Sequence, residues 1–159
     1  MAISDEDRAK SIAEALNRMN GIDVMRKMMT TGETSPMGEL LGIEITHVDD
    51  GKVVLQAMPQ MKFYNPLMRI HGGYTATLID TAMGSAVFTK MQAGQGAGTI
   101  NLNVSYVGKI DVETGLLTIT GQILHAGRTI LTAEAKLQDQ NGKILAHGTG
   151  TFLVYLKQD

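Results

Sequence analysis

The chain has no cysteine. That excludes a disulfide framework, a cysteine zinc site and a cysteine nucleophile. It also lacks a strongly basic run. Its 14 Lys and Arg stand against 16 Asp and Glu, a formal net charge of −2, which argues against nucleic acid as the main partner. No apolar run is long enough to span a bilayer, so no membrane partner is expected. The opening residues, Met-Ala-Ile-Ser-Asp-Glu-Asp, are acidic and lack a signal peptide's apolar stretch. The expectation is a soluble cytoplasmic protein. No Gly-x-Ser-x-Gly nucleophile elbow occurs, and there is no internal repeat or low-complexity tract. His47, His125 and His147 are scattered without metal-ligand spacing, so structural roles are expected for them and no metal is.

What the chain does have is a core. It is 159 residues long and 43% hydrophobic, enough for one packed domain. The most informative stretch runs from Gly72 to Thr89, where Asp80 is the one charged residue. A helix this apolar is expected to be buried. A carboxylate on it loses water, so it must find a partner or be used. His71-Gly72-Gly73 stands just before this helix. Gly72 and Asp80 are eight positions apart, about 12 Å along a helix axis. One substrate carbonyl cannot touch both on the same helix. If both act on one bond, they come from two copies of the chain. The alternative is that the glycines only start the helix and Asp80 hydrogen-bonds to a neighbouring hydroxyl.

The organisation reads as helices first, then strands around one central helix. Ser4 can cap a helix that has Ile12, Leu16 and Met19 on one face, with Gly21 breaking it. A second helix follows from Asp23, with Met25, Met28 and Met29 inward and Gly32 as its stop. That methionine stripe reads as core or oligomer packing. Strands are expected near 42–48 and 52–58, joined at Asp49-Asp50-Gly51, then a loop over 59–70 and the central helix over 72–91. Gly94, Gly96 and Gly98 read as a flexible link. Strand 99–107 alternates, with Ile100, Leu102, Val104 and Tyr106 on one face and Thr99, Asn101, Asn103 and Ser105 on the other. Further strands are expected near 115–126, 129–139 and 143–155. The class is α+β, an antiparallel sheet packed on one long hydrophobic helix.

Several segments together resemble the hotdog-fold acyl-CoA thioesterases of the phenylacetate-degradation-related family. They are Pro36…Leu40-Leu41-Gly42, Asn65-Pro66, His71-Gly72-Gly73, Leu78-Ile79-Asp80 and His125-Ala126-Gly127-Arg128-Thr129. The resemblance covers about residues 36–155. It implies a curved sheet of about six strands around the central helix, a hotdog domain over 36–159 and an N-terminal helical extension over 1–35. It further implies acyl-CoA as substrate, no cofactor, and active sites between subunits of a homo-oligomer, a dimer or a dimer-of-dimers tetramer.

The family's roles map residue by residue. Gly72 matches the backbone N–H that polarises the thioester carbonyl at the helix N-terminus. Asp80 of the facing subunit matches the nucleophile or general base. Asn65 matches a side chain positioning the thioester or attacking water, and Thr99 a residue orienting that water. His71 is held near the site without acting as the base. Gly73, Arg128 and Thr129 fall where the family meets substrate and coenzyme A, with Arg128 suited to phosphate. Met68 stands where relatives often carry Gly. It is expected to redirect the loop beside Asn65, because φ > 0 strains a Met, and to narrow the acyl pocket.

Two other functions compete. Hotdog dehydratases use a catalytic His in a loop context that this chain lacks. A non-catalytic acyl-CoA-binding regulator would need a DNA-binding module, and residues 1–35 are not basic. A binding-only role without such a module stays open beside the thioesterase.

Overall fold

A computed structural model describes residues 4–156. The first three and last three residues, which begin the expected extension and end the expected domain, lie outside the described residues. Three helices come first: α1 (Asp5–Arg18), α2 (Gly21–Thr31) and α3 (Pro36–Leu41). Strands β1 (Ile43–Asp49) and β2 (Lys52–Ala57) precede the long helix α4 (Gly72–Phe88). Four strands follow it: β3 (Gln95–Tyr106), β4 (Leu117–Ala126), β5 (Ile130–Gln138) and β6 (Ile144–Leu156). They form one six-stranded sheet in the order β1-β2-β4-β5-β6-β3, every pairing antiparallel. This is the hotdog arrangement that the resemblance implies.

Local chemistry sets the helix ends. Ser4 Oγ accepts from the Asp7 N–H, and Asp5, Glu6 and Asp7 fill the positive first turn. Ser35 caps α3 with Pro36 at its first position. Gly32 ends α2 and Gly42 ends α3 in the left-handed conformation, at φ 70° and 66°, which glycine adopts without a Cβ penalty. Gly21 does not break α1 in the expected way. It is the first residue of α2, and a Cβ there would lie 1.8 Å from the Phe88 carbonyl oxygen. The glycine lets α2 start directly against the end of α4.

The core lies between α4 and the concave face of the sheet. Leu78, Ile79, Ala82, Met83 and Val87 of α4 are fully buried against Leu55, Leu117, Ile119 and Leu137 of the strands. Burial of such side chains is the main favourable term in folding. Tyr74 stacks on Phe63, with ring centroids 4.5 Å apart, and burial pushes its phenol up to about 12. One contact is closer than any side chain allows. A Cβ at Gly121 on β4 would lie 2.1 Å from the Ala82 carbonyl oxygen.

The uniformly apolar helix is therefore buried on one side only. Thr77, Asp80, Thr81, Gly84 and Ser85 of α4 are half-buried. Helices α1 and α2 lie over some of them. The Gly94 N–H bonds the Leu16 carbonyl, the Gly21 N–H bonds the Met91 carbonyl, and Arg8 pairs with Glu39 of α3 at 3.5 Å.

Candidate active site

Asp80 sits two turns into α4, and its carboxylate has one partner among the described residues. Thr99 Oγ1 donates to Asp80 Oδ1 at 3.0 Å. Strict alternation along β3 would put Thr99 on the opposite face from Leu102, Val104 and Tyr106. A β-bulge reverses this. Thr99 pairs with Phe152 and Asn101 with Thr151, so Ile100 is the extra residue. Phe152 is buried toward α4. Its cross-strand neighbour Thr99 consequently faces α4 too, joining Leu102, Val104 and Tyr106. The bulge re-aims one hydroxyl onto the carboxylate. The strand also begins earlier than expected: Gly96 and Gly98 belong to β3, and Gly96 is small because a Cβ would lie 2.7 Å from the Tyr155 ring.

The start of α4 is built by four residues. His71 is the N-cap, and its Nδ1 accepts from the Gly73 N–H at 2.8 Å. This fixes Nδ1 as an acceptor and occupies the Gly73 donor. The Gly72 N–H has no hydrogen-bond partner among the described residues. It is the free donor at the positive end of the helix. Tyr106 was not singled out by the sequence, yet its ring packs over Gly72 and its hydroxyl donates to the Gly72 carbonyl at 3.1 Å. It holds the first turn in place from β3. Its position in the same strand as Thr99 was a usable signal once the bulge is known.

The loop residues behave differently. Asn65 Oδ1 accepts from the Leu67 N–H at 2.9 Å and the Arg69 N–H at 3.3 Å, so its carbonyl oxygen organises its own loop. Met68 has φ 55°. It takes up the left-handed conformation itself, so the loop is not redirected around it. Met68 is exposed and does not line the cavity beside Asp80. The expectation of a different loop path is corrected on this point.

Arg128 and Thr129 form the turn between β4 and β5, and Arg128 is exposed. The Thr129 carbonyl accepts from Val154. Val154 pairs with Ala97, two residues before Thr99. The turn thus lies at the Thr99 end of β3, with β6 between.

A half-open cavity of about 370 Å³ adjoins Asp80 and Thr99. Its walls come from α4 and the sheet on one side and from Leu16, Met25 and Met28 of the N-terminal helices on the other. The methionine stripe is split by this: Met25 is buried, and Met25 and Met28 both line the cavity. Among the described residues no group of three His, Asp or Glu is arranged to hold a metal ion, and no helix is long and apolar enough to cross a membrane.

Residues 69–146 match the family model described as the thioesterase superfamily. The chain is 27% identical over 120 residues to the 1,4-dihydroxy-2-naphthoyl-CoA hydrolase of Listeria monocytogenes, covering 76% of this chain and 96% of that one. It is 32% identical over 126 residues to a Halobacterium salinarum protein provisionally named an esterase, covering 72% of this chain and 82% of that one. Among solved structures, a phenylacetic acid degradation-related protein from Ralstonia eutropha superposes with a TM-score of 0.73 at 25% identity, covering 81% of this chain and 98% of that one. The hotdog sheet around α4 agrees with these matches: the chain belongs to the thioesterase superfamily.

Proposed function

We propose that this thioester hydrolase cleaves acyl-CoA to a free acid and coenzyme A, in a site shared by two copies of the chain. The observation that carries the reading is the pairing of a free Gly72 N–H with an Asp80 carboxylate about 12 Å further along the same helix. In the proposed reaction the thioester carbonyl accepts from Gly72 of one copy. The amide donor and the helix dipole then stabilise the oxyanion that develops. Asp80 of the other copy takes a proton from an attacking water, or attacks the carbonyl itself to form an anhydride that water opens. Either route expels the coenzyme A thiolate, which gains a proton. Thr99 fixes the carboxylate's rotation through its hydrogen bond to Oδ1.

Two further features support a shared site. β3 is an edge strand twelve residues long, and Ile100 and the following Val107 are 57% and 58% exposed. A long apolar edge is a ready template for pairing with a second copy. Arg128 lies at the same end of the sheet as Thr99, where a guanidinium can bind a coenzyme A phosphate in bidentate fashion. The same reading gives Asn65, His71, Gly73, Thr129 and Met68 supporting roles along the loop and turn that flank the thioester.

The test removes one donor and one carboxylate separately. Gly72 is the first residue of α4, where proline is tolerated. The preceding His71 has φ −62° and ψ 136°, a conformation that proline permits in its neighbour. Gly72→Pro therefore deletes the N–H with little change in the backbone. Each of Gly72→Pro and Asp80→Asn should be inactive alone. Co-refolded in equal amounts, they should recover about a quarter of wild-type activity, because half the dimers are mixed and each carries one intact site. No recovery from correctly assembled mixed oligomers would refute the shared site.

A further inference from the structure

We propose that helices α1 and α2 form the acyl-chain subsite, selecting a linear apolar acyl group of about eight to ten carbons. The inference rests on the acyl-CoA hydrolase reading above and supplies its substrate class. The cavity beside Asp80 is elongated along α4. Asp80, Thr81, Gly84, Ser85 and Phe88 all line it, and from Asp80 to Phe88 is eight residues, about 12 Å. An extended alkyl chain advances about 1.25 Å per bond from 1.5 Å tetrahedral C–C bonds. Eight to ten carbons therefore span the cavity, whereas a single aryl ring on a short linker would end well before Phe88.

Asp80, the one charged residue among those lining the cavity, sets the direction. The carboxylate and the Thr99 hydroxyl stand at one end. Ile12, Leu16 and Phe88 stand at the other, where the Gly94 N–H ties down the Leu16 carbonyl. An acyl chain whose thioester lies at Asp80 thus points its tail toward α1. The volume, about 370 Å³, falls at the lower end of the range for ligand pockets, roughly 300–1,000 Å³. Met25 and Met28 roof the passage, and their unbranched thioethers adapt to a flexible chain. Gly84 keeps the floor open. A Cβ there would meet only the Phe152 ring, at 3.9 Å, so a methyl group fits, and a longer side chain would enter the cavity.

The experiment uses the full chain and straight-chain acyl-CoAs from two to sixteen carbons, with phenylacetyl-CoA alongside. Wild-type kcat/KM should peak at eight to ten carbons. Gly84→Leu should lower the ratio of decanoyl to butyryl kcat/KM by about tenfold, as expected when roughly two methylenes of burial are lost. Met28→Ala, which widens the roof, should move the optimum to longer chains. A readout independent of turnover is the thermal shift produced by decanoate, which should be large for wild type and reduced in Gly84→Leu. Should Gly84→Leu fail to fold, Met28→Ala carries the same test. The subsite assignment is overturned if the chain-length profile is unchanged in these variants or if phenylacetyl-CoA outperforms every straight chain. Wild-type protein that shifts with decanoate but turns over no acyl-CoA would instead overturn the hydrolase reading and leave the subsite standing.

Discussion

Two Gly→Ala substitutions at the interface of α4 with the sheet should have opposite signs. At Gly121, the added methyl would stand 2.1 Å from the Ala82 oxygen, 2.3 Å from its carbonyl carbon and 2.9 Å from the Met83 nitrogen. All three are backbone atoms, which cannot rotate aside. A tolerable carbon contact of about 3.5 Å requires β4 to retreat from α4 by about 1.2–1.4 Å. That retreat would loosen the contact of α4 with Leu117 and Ile119, both fully buried. Overpacking of this kind costs about 3 kcal/mol at the upper end of its usual range. For a chain of this size each kcal/mol moves Tm by about 2–4 °C, so the midpoint should fall by roughly 6–12 °C. At Gly84 the methyl finds ordinary contact, 3.9 Å from Phe152, and the helix gains up to about 1 kcal/mol of propensity. Its midpoint should rise by about 2–4 °C. The assay is thermal unfolding by circular dichroism at fixed protein concentration, because oligomer stability depends on concentration. A Gly121→Ala midpoint within 2 °C of wild type would refute the close helix–sheet contact.

Three other outcomes follow from the same structure. Arg128→Ala should raise KM for acyl-CoA far more than it lowers kcat, and should matter less with short pantetheine thioesters; equal losses on both would remove Arg128 from the coenzyme A site. Tyr106→Phe deletes the hydroxyl that donates to the Gly72 carbonyl and should lower kcat several-fold with little change in Tm, since an exposed neutral hydrogen bond is worth about 1 kcal/mol; an unchanged kcat would show that the first turn of α4 holds itself. Burial raises the Tyr74 phenol from 10.0 to about 12, so the folded state keeps its proton longer than the unfolded chain; the stability this contributes is intact below pH 10 and is lost as pH rises from 10 toward 12. Tyr74→Phe should flatten that alkaline decline in urea titrations, and an identical decline would mean that another group causes it.

Much of the site was legible because it is local. The apolar run with one carboxylate identified α4, and Asp49-Asp50-Gly51 marked the first hairpin, whose Gly51 has φ 76°. What was not legible depends on pairing between distant segments. The alternation of 99–106 separated Thr99 from Tyr106, and only the register of β3 against β6 reveals that Ile100 is an extra residue. Gly94, Gly96 and Gly98 resembled a link because glycine weakens strands; Gly96 packs against the Tyr155 ring, 59 positions further along the chain. The methionines of α2 were read as core or oligomer packing, which their spacing supports, and no periodicity distinguishes a core from the wall of a cavity.

The central claim is that the Asp80 carboxylate drives the chemistry. Asp80→Asn keeps the size of the side chain and an oxygen for Thr99 to donate to, and removes only the negative charge. An amide is easier to desolvate than a carboxylate, so the fold, the oligomer and acyl-CoA binding should persist. Turnover of a good acyl-CoA, followed as free thiol released by the purified variant beside its melting curve, should fall by at least about two orders of magnitude, the loss typical of a main proton-transfer group. Turnover near wild type in a correctly folded Asp80→Asn would contradict the account and return Asp80 to a structural role.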